Sequence, residues 1–375
     1  MRILHYITAQ EANDLISIHL RTLTKAMEDI AEVRVATAKD TFHQILDDMK
    51  PDIVHVHACW NYKAADIVKQ TARKGFAVVV SPHWGLEPYT MRHEHRITKM
   101  LKGYIYQRQM IQQAEALLVT TETERRHLLD LGWKKRVNVV KSTILNRLYS
   151  ASRQAEETLL FYKKVIDTRY FRLMTDKEKE AVCSLLCLGK SRENSRTLLN
   201  SNQILHLHEL NPEQWKRILL YADDEDIRDL IDKGAHIMQL DVPDINTSSI
   251  DRYDNPHPKV MGKLDTSAFR EKAVRLTTKE EKEICAVSAM LLAAKEHQKR
   301  HTLSMRHMAE IYEAIKYKDF DEDQFARIVR QLGIRKFTER LLQVISEDFY
   351  MGEGFMPLKP RNDRGTQRIR ETIIH

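Results

Sequence analysis

Ala77-Val78-Val79-Val80-Ser81-Pro82-His83-Trp84-Gly85 decides the fold. Consecutive valines are stiff at χ1 and favour extended backbone. An uninterrupted apolar run suits a parallel strand covered on both faces. Working outward, Ala64 to Lys74 has helical spacing and Gly75 closes it. Before it, Asp52-Ile53-Val54-His55-Val56-His57 reads as another strand. Phe42, Ile45, Leu46 and Met49 form a short helical face that stops before Pro51. Val33 to Ala36 and Ile3 to Ile7 are further strands, separated by the helical pattern of Leu15 to Ile30. Downstream, a long basic helix covers roughly 91–113. Ala116 to Thr120 is a strand, Glu122 to Leu131 a helix ended by Gly132, and Val137 to Lys141 a last strand. Strands alternating with helices predict a parallel α/β sheet with right-handed crossovers. Sites in such sheets lie beyond the carboxyl ends of the strands. The stretches to inspect are therefore Thr8 to Gln10, His57 to Trp60, Ser81 to Gly85, and Thr120 to Glu122.

Composition narrows the class. The chain has 375 residues, 42% hydrophobic and 30% charged, with a formal net charge of +7. That length predicts about two domains, and the apolar fraction excludes global disorder. Eleven glycines and nine prolines are few, which argues against a turn-rich all-β fold. No apolar run is long enough for a transmembrane helix. Met1 leads straight into a strand, so no secretory signal is expected. Four scattered cysteines argue against a disulfide framework and for a cytoplasmic setting.

Beyond residue 150 the pattern turns helical. Thr175 with Glu178 forms a capping box, and Gly189 is read as the end of that helix. Asn211-Pro212 starts another, and Gly234 is read as the stop of a third. Pro243, Pro256 and Pro258 mark 241–268 as a linker. Thr278 with Glu281 opens a helix running to about Lys299, and three more follow. The expected layout is an α/β domain at 1–147, a helical domain at 148–240, the linker, a helical domain at 269–358 and a flexible basic tail at 359–375. Asp223-Asp224-Glu225-Asp226 reads as a solvated turn, because a metal-binding Asp pair would follow a strand. His206, His208 and Glu209, like His297 and His301, have zinc-compatible spacing without further ligands nearby. Cys183 and Cys187 read as core residues. No metal ligand set emerges.

Residues 1–141 resemble the N-terminal domain of retaining, GT-B-fold glycosyltransferases of family 4. Four segments carry this: Met1 to His5, Lys50 to His57 ("KPDIVHVH"), Val79 to Tyr89 (the family's "vvsPHGgLePw") and Ala114 to Glu124. The resemblance implies a Rossmann-like domain acting with a nucleotide-sugar and a hydroxyl acceptor, with retention and without metal or cofactor. It implies that His83 lies in the cleft near the reacting sugar and that Glu87 and Tyr89 belong to the acceptor-side loop. His83 and Glu87 are the candidate catalytic residues. His57, Trp60, Trp84, Gly85, Thr121 and Glu122 join Tyr89 as candidate acceptor-side residues. His55 and His57 face one side of a strand, and both also suit a structural role.

The sequence departs from the family in two places. Thr8-Ala9-Gln10-Glu11-Ala12-Asn13 lacks the glycines expected at the first helix N-terminus. The second half shows no strand–helix alternation, so no second Rossmann domain is expected. The segment 311–358 weakly resembles the C-terminal helices of nucleotidyltransferase-like proteins encoded with bacterial polysaccharide genes. Two functions stay open: a glycosyltransferase of bacterial surface-polysaccharide synthesis, or a non-catalytic accessory protein that binds a partner through its helical half. Arg92, Arg96, Lys99, Lys102 and Arg108, interspersed with apolar residues, are candidates for peripheral contact with the inner membrane face, which a lipid-linked acceptor would use. No nucleic-acid motif accompanies the charge.

Overall fold

The computed structural model describes residues 1–8, 14–89, 96–146, 148–192, 198–253, 259–276 and 281–373. These form two compact units. The first comprises residues up to Arg169 and a short segment beginning at Ile250.

In the first unit, β1 (Arg2–Ile7), β2 (Glu32–Thr37), β3 (Ile53–His57), β4 (Ala77–Ser81), β5 (Ala116–Val119) and β6 (Val137–Val139) build one parallel sheet in the order β2-β1-β3-β4-β5-β6. The chain reverses its direction of growth at β1, so the topological switch point lies between β1 and β3. Side chains alternate across the sheet. One face sends Leu4, Tyr6, Val54, Val56, Val78 and Val80 into a core with α2 (Phe42–Met49) and α3 (Tyr62–Arg73). The other sends Ile3, Ile53, Ala77, Val79 and Leu118 into a core with α1 (Leu15–Met27). Asn61 caps α3 through the Ala64 N–H, and Gly75 leaves it at φ +87°.

The expected boundary at 147 falls short of what the sheet needs. The helix Ala151–Asp167 supplies Ala155, Phe161, Tyr162 and Val165 to the second face, which would otherwise lie open beside α1. Tyr253, placed by sequence in a linker, packs there too and donates to Asn138 Oδ1 at 2.5 Å. Of the basic helix expected over 91–113, the described residues form α4 (Arg96–Lys102), a π-helical turn (Gly103–Gln107) and α5 (Arg108–Gln113). After β5, α6 (Glu122–Leu131) carries Thr121 as its N-cap and Gly132 beyond its end. Ala151–Asp167 is α7.

The second unit holds helices and no strand among the described residues. Its central crossing joins α9 (Asp176–Lys190) to α12 (Arg228–Ile237), with α8 (Tyr170–Leu173), α10 (Ser201–His208) and α11 (Pro212–Asp224) around them. Gly189 and Gly234, read from sequence as helix stops, lie inside these helices. Each meets the partner backbone: a Cβ at Gly189 would stand 2.2 Å from the Leu230 carbonyl oxygen, and one at Gly234 2.3 Å from that of Leu185. The helices α13 (Ser267–Val274), α14 (Lys282–Lys299), α15 (Met305–Tyr317), α16 (Glu322–Gln331) and α17 (Arg335–Asp348) complete the unit with α18 (Arg364–Arg370).

Two further readings are corrected. The run at 223–226 is not a solvated turn. Asp224 accepts from the Tyr170 hydroxyl, Asp223 from Thr247 Oγ1, Glu225 from the Met305 N–H at 2.7 Å and Asp226 from the Gly262 N–H at 2.7 Å. It ties four segments together, and burial pushes the Glu225 carboxyl up to about 7 against the pull of Lys259. The tail is not loose either. Asp363 caps α18 and pairs bidentately with Arg340, Arg370 pairs with Glu347, and Thr366, Ile369 and Ile373 are buried. The zinc-compatible histidines have local partners: His206 meets Glu180 and His297 meets Thr302. Thr278 lies outside the described residues.

Candidate functional site

The switch point of the first unit is occupied by histidines. Register places His5 beside His55, and Ile7 beside His57. His5, His55 and His57 therefore share the face covered by α1 and α7. His19 approaches from α1, and His83 follows β4. The ring centroids of His5 and His57 lie 5.1 Å apart, those of His57 and His83 5.2 Å, and those of His19 and His83 5.7 Å.

Hydrogen bonds fix much of the protonation. The Ser81 hydroxyl donates to the Leu118 carbonyl at 2.7 Å, so its oxygen accepts from His55 Nε2–H at 2.8 Å. His55 Nδ1 then accepts from the Tyr162 hydroxyl at 2.6 Å. The second chain runs from His5 Nδ1 to His57 Nε2 at 2.9 Å and from His57 Nδ1 to His83 Nε2 at 3.0 Å. Two tautomeric arrangements satisfy it, with every proton on Nε2 or every proton on Nδ1. Its inner end, His5 Nε2, is buried without a partner among the described residues. Its outer end is the His83 ring. His19 is held by Ser142 Oγ at 2.9 Å.

Burial makes these rings neutral. His5 and His83 are lowered to about 3 and His19 to about 4, by desolvation in each case, with the proximity of His19 adding to the first two. His55 and His57 fall well below the usual value for the same reason, reinforced by their neighbours. The ligand atoms of His5, His55 and His57 lie within 4.8 Å of one another, as metal ligands would. Both His55 nitrogens are already engaged, and His5 and His57 face each other at hydrogen-bond distance. The geometry suits a hydrogen-bonded array better than a coordination sphere.

The loop after β4 is strained. The Gly85 N–H donates to the Pro82 carbonyl at 2.9 Å, and the two residues between, His83 and Trp84, have φ of 46° and 64°. That is a type I′ turn built without glycine. Side chains there cost about 1–2 kcal/mol each, and such strain collects at functional sites. Trp84 stands where the family segment has glycine. Its N–H donates to Glu124 Oε1 at 2.8 Å, and Trp60 Nε1–H donates to the Gly85 carbonyl at 2.6 Å. Trp60 itself sits at φ 58°, its N–H on the buried Gln107 side chain at 2.7 Å. A Cβ at Gly85 would meet Cys59 at 2.7 Å, so the loop packs closely on the end of β3.

The residues named from sequence separate accordingly. His57, Trp60, His83, Trp84 and Gly85 come together around the strand ends. Glu87 joins a different pair, accepting from His127 Nδ1 on α6. Thr121 is the N-cap of α6, and Glu122 pairs with Arg125 in its first turn. Tyr89 is exposed. Arg92 and the side chain of Arg96 lie outside the described residues, as does the loop 9–13. Sequence reasoning missed His5, His19 and Glu124. The first pairs with His55 only through strand register, and the second arrives only through the placement of α1. Glu124 sat in a matched segment as a helix residue, with no sign that it holds the His83 turn.

Comparison with known proteins bears on the first unit. The model of the glycosyl transferase 4-like domain matches residues 17–142, about a third of the chain. No curated protein and no solved structure matches. The matched span runs from α1 past β6 and includes His19, His57, His83 and Glu124, so the first unit carries a glycosyl transferase 4-like segment.

Proposed function

We propose that the protein is a retaining glycosyltransferase of bacterial surface-polysaccharide synthesis, moving a sugar from a nucleotide-sugar to a hydroxyl acceptor without a metal or cofactor. The observation that carries this is His83: a neutral imidazole in a strained turn at the strand ends, inside the matched segment. A neutral ring accepts the acceptor hydroxyl's proton or orients its lone pair, whereas an imidazolium could only donate. The His57 contact fixes the ring. Glu87, held by His127, shapes the acceptor side and is not paired with His83. Transition-state charge develops at the leaving diphosphate, and catalysis rests mainly on positioning.

A lipid-linked acceptor fits the surface of the same unit. Met100, Leu101, Tyr104 and Ile105 are exposed along α4 and the π-turn, flanked by Lys99, Lys102 and Arg108. Apolar residues facing water beside cations suit an anionic bilayer surface. We place that contact peripherally at the cytoplasmic face; among the described residues no helix is long and apolar enough to cross a membrane. The protein is expected to sediment with vesicles containing anionic lipid. Leu101→Asp with Ile105→Asp should abolish that, while leaving the circular dichroism spectrum intact.

The functional test is thermal shift with a panel of nucleotide-sugars. A cognate donor raises Tm by mass action, and turnover with it is lost in His83→Ala. Donor binding without turnover on any hydroxyl acceptor would instead favour an accessory role, with the helical half binding a partner enzyme.

A further inference from the structure

The helical unit contains a cavity of about 670 Å³ between α9, the segment 263–274, α14 and α15. That volume is in the range of small-molecule sites. Its lining is strongly cationic: Lys190, Arg192, Lys263, Arg270, Lys282 and Lys318, against two carboxylates, Glu310 and Glu313. The carboxylates are already used. Glu313 takes both Lys190 at 2.5 Å and Arg192 at 2.8 Å, and Glu310 accepts the Leu264 N–H at 2.9 Å. Lys318 pairs with Glu283. Among the described residues, Lys263, Arg270 and Lys282 have no carboxylate within ion-pair distance. Like charges gathered on a concave wall repel one another, and a cleft of one sign focuses field on a counter-ion. The remaining wall is mostly apolar, formed by Leu264, Ala286, Met290, Ala314 and the Tyr317 ring, which the Arg192 guanidinium overlies at 4.9 Å, with Thr266 and Cys285 among them.

We propose that this cavity binds a nucleoside diphosphate, its pyrophosphate on Lys263, Arg270 and Lys282 and its base against the Met290–Tyr317 wall. Arg270 supplies a planar fork for phosphate oxygens, and the two lysines supply compact charge. The pyrophosphate neutralises three cations that have no carboxylate within ion-pair distance among the described residues; Arg270 Nε–H donates to Thr266 Oγ1 at 3.2 Å. The apolar side admits a flat ring system, which a free phosphate would leave uncovered. Glu313 keeps Lys190 and Arg192 in place at the rim. The site belongs to the helical unit alone and does not rest on the glycosyltransferase reading of the first unit.

Isothermal titration of the full chain with UDP, GDP, ADP and CDP tests this, with inorganic pyrophosphate as the base-free probe. At least one nucleoside diphosphate binds, and more tightly than pyrophosphate. Arg270→Glu with Lys282→Glu weakens it about a hundredfold. Both side chains are exposed, and circular dichroism checks that the variant remains folded. The charge reversal removes one site from the isotherm, and any donor site in the first unit keeps its own affinity, which separates the two. No binding of any nucleoside diphosphate at millimolar concentration overturns the proposal. So does an isotherm that the double charge reversal leaves unchanged. Pyrophosphate binding as tightly as every nucleotide overturns the assignment of the apolar wall to a base.

Discussion

Acidification to about pH 5 is expected to unfold the first unit ahead of the helical unit. His5, His19, His55, His57 and His83 all titrate below their usual value in the folded protein. A histidine depressed on folding stabilises the native state above its unfolded pKa, and that stability is lost as pH falls towards the folded value. Below pH 6.5 the unfolded chain therefore binds up to five protons that the folded unit refuses. The slope approaches an upper limit of about 7 kcal/mol per pH unit. Between pH 7.5 and 5.5 the loss is about 7 kcal/mol, comparable with a typical domain's whole stability of about 5–15 kcal/mol. The helical unit carries a smaller load of this kind, on His297 and His307. Fluorescence of Trp60, Trp84 and Trp133 should report a steep transition above pH 5 while most helical circular dichroism persists. A shallow transition, or one below pH 4, would show that the array is solvated.

Gly189→Ala and Gly234→Ala should each cost the helical unit about 3 kcal/mol or more. Helix propensity alone predicts the opposite sign, since alanine exceeds glycine by about 1 kcal/mol in a helix interior. Sterics decide. The new methyl would stand 2.2 or 2.3 Å from a backbone carbonyl oxygen, which no rotamer change can relieve. The helices would have to separate, opening the core around Leu185 and Leu230. The contact is reciprocal: each glycine meets the residue four before the other, so either substitution opens the same crossing. Denaturant midpoints of the helical unit measure the loss, with the first unit's transition as internal reference. Gly352→Ala, where nothing lies within 4 Å of the added carbon, should be nearly neutral. Unchanged stability in Gly189→Ala would mean the helices are not in contact there.

The sheet was legible because burial on two faces writes itself into sequence as valine runs and alternating registers. The position of His83 was legible for the same reason, since it follows the clearest strand. The array behind it was not. His5 and His55 are neighbours only because β1 and β3 pair in one register, and single-chain periodicity carries no register between strands. The turn at His83–Trp84 hid its left-handed backbone because neither residue is glycine. Gly189 and Gly234 were read as helix ends because a glycine at a helix crossing and one at a C-cap look alike in sequence. The 223–226 run looked solvated because its partners lie on distant segments, including Lys259 and Met305. The helix at 151–167 looked like the start of a new domain because its debt to the sheet appears only once the open face is seen.

Sugar transfer itself is the most direct test of the central claim. Full-length protein is assayed with the nucleotide-sugar that stabilises it, a panel of hydroxyl acceptors and lipid-linked acceptors in vesicles, beside His83→Ala and His83→Gln. The predicted result is transfer by the wild type with retained anomeric configuration. Both variants should lose about 100-fold or more in kcat, with donor binding preserved. Transfer at the wild-type rate by His83→Ala would contradict the account.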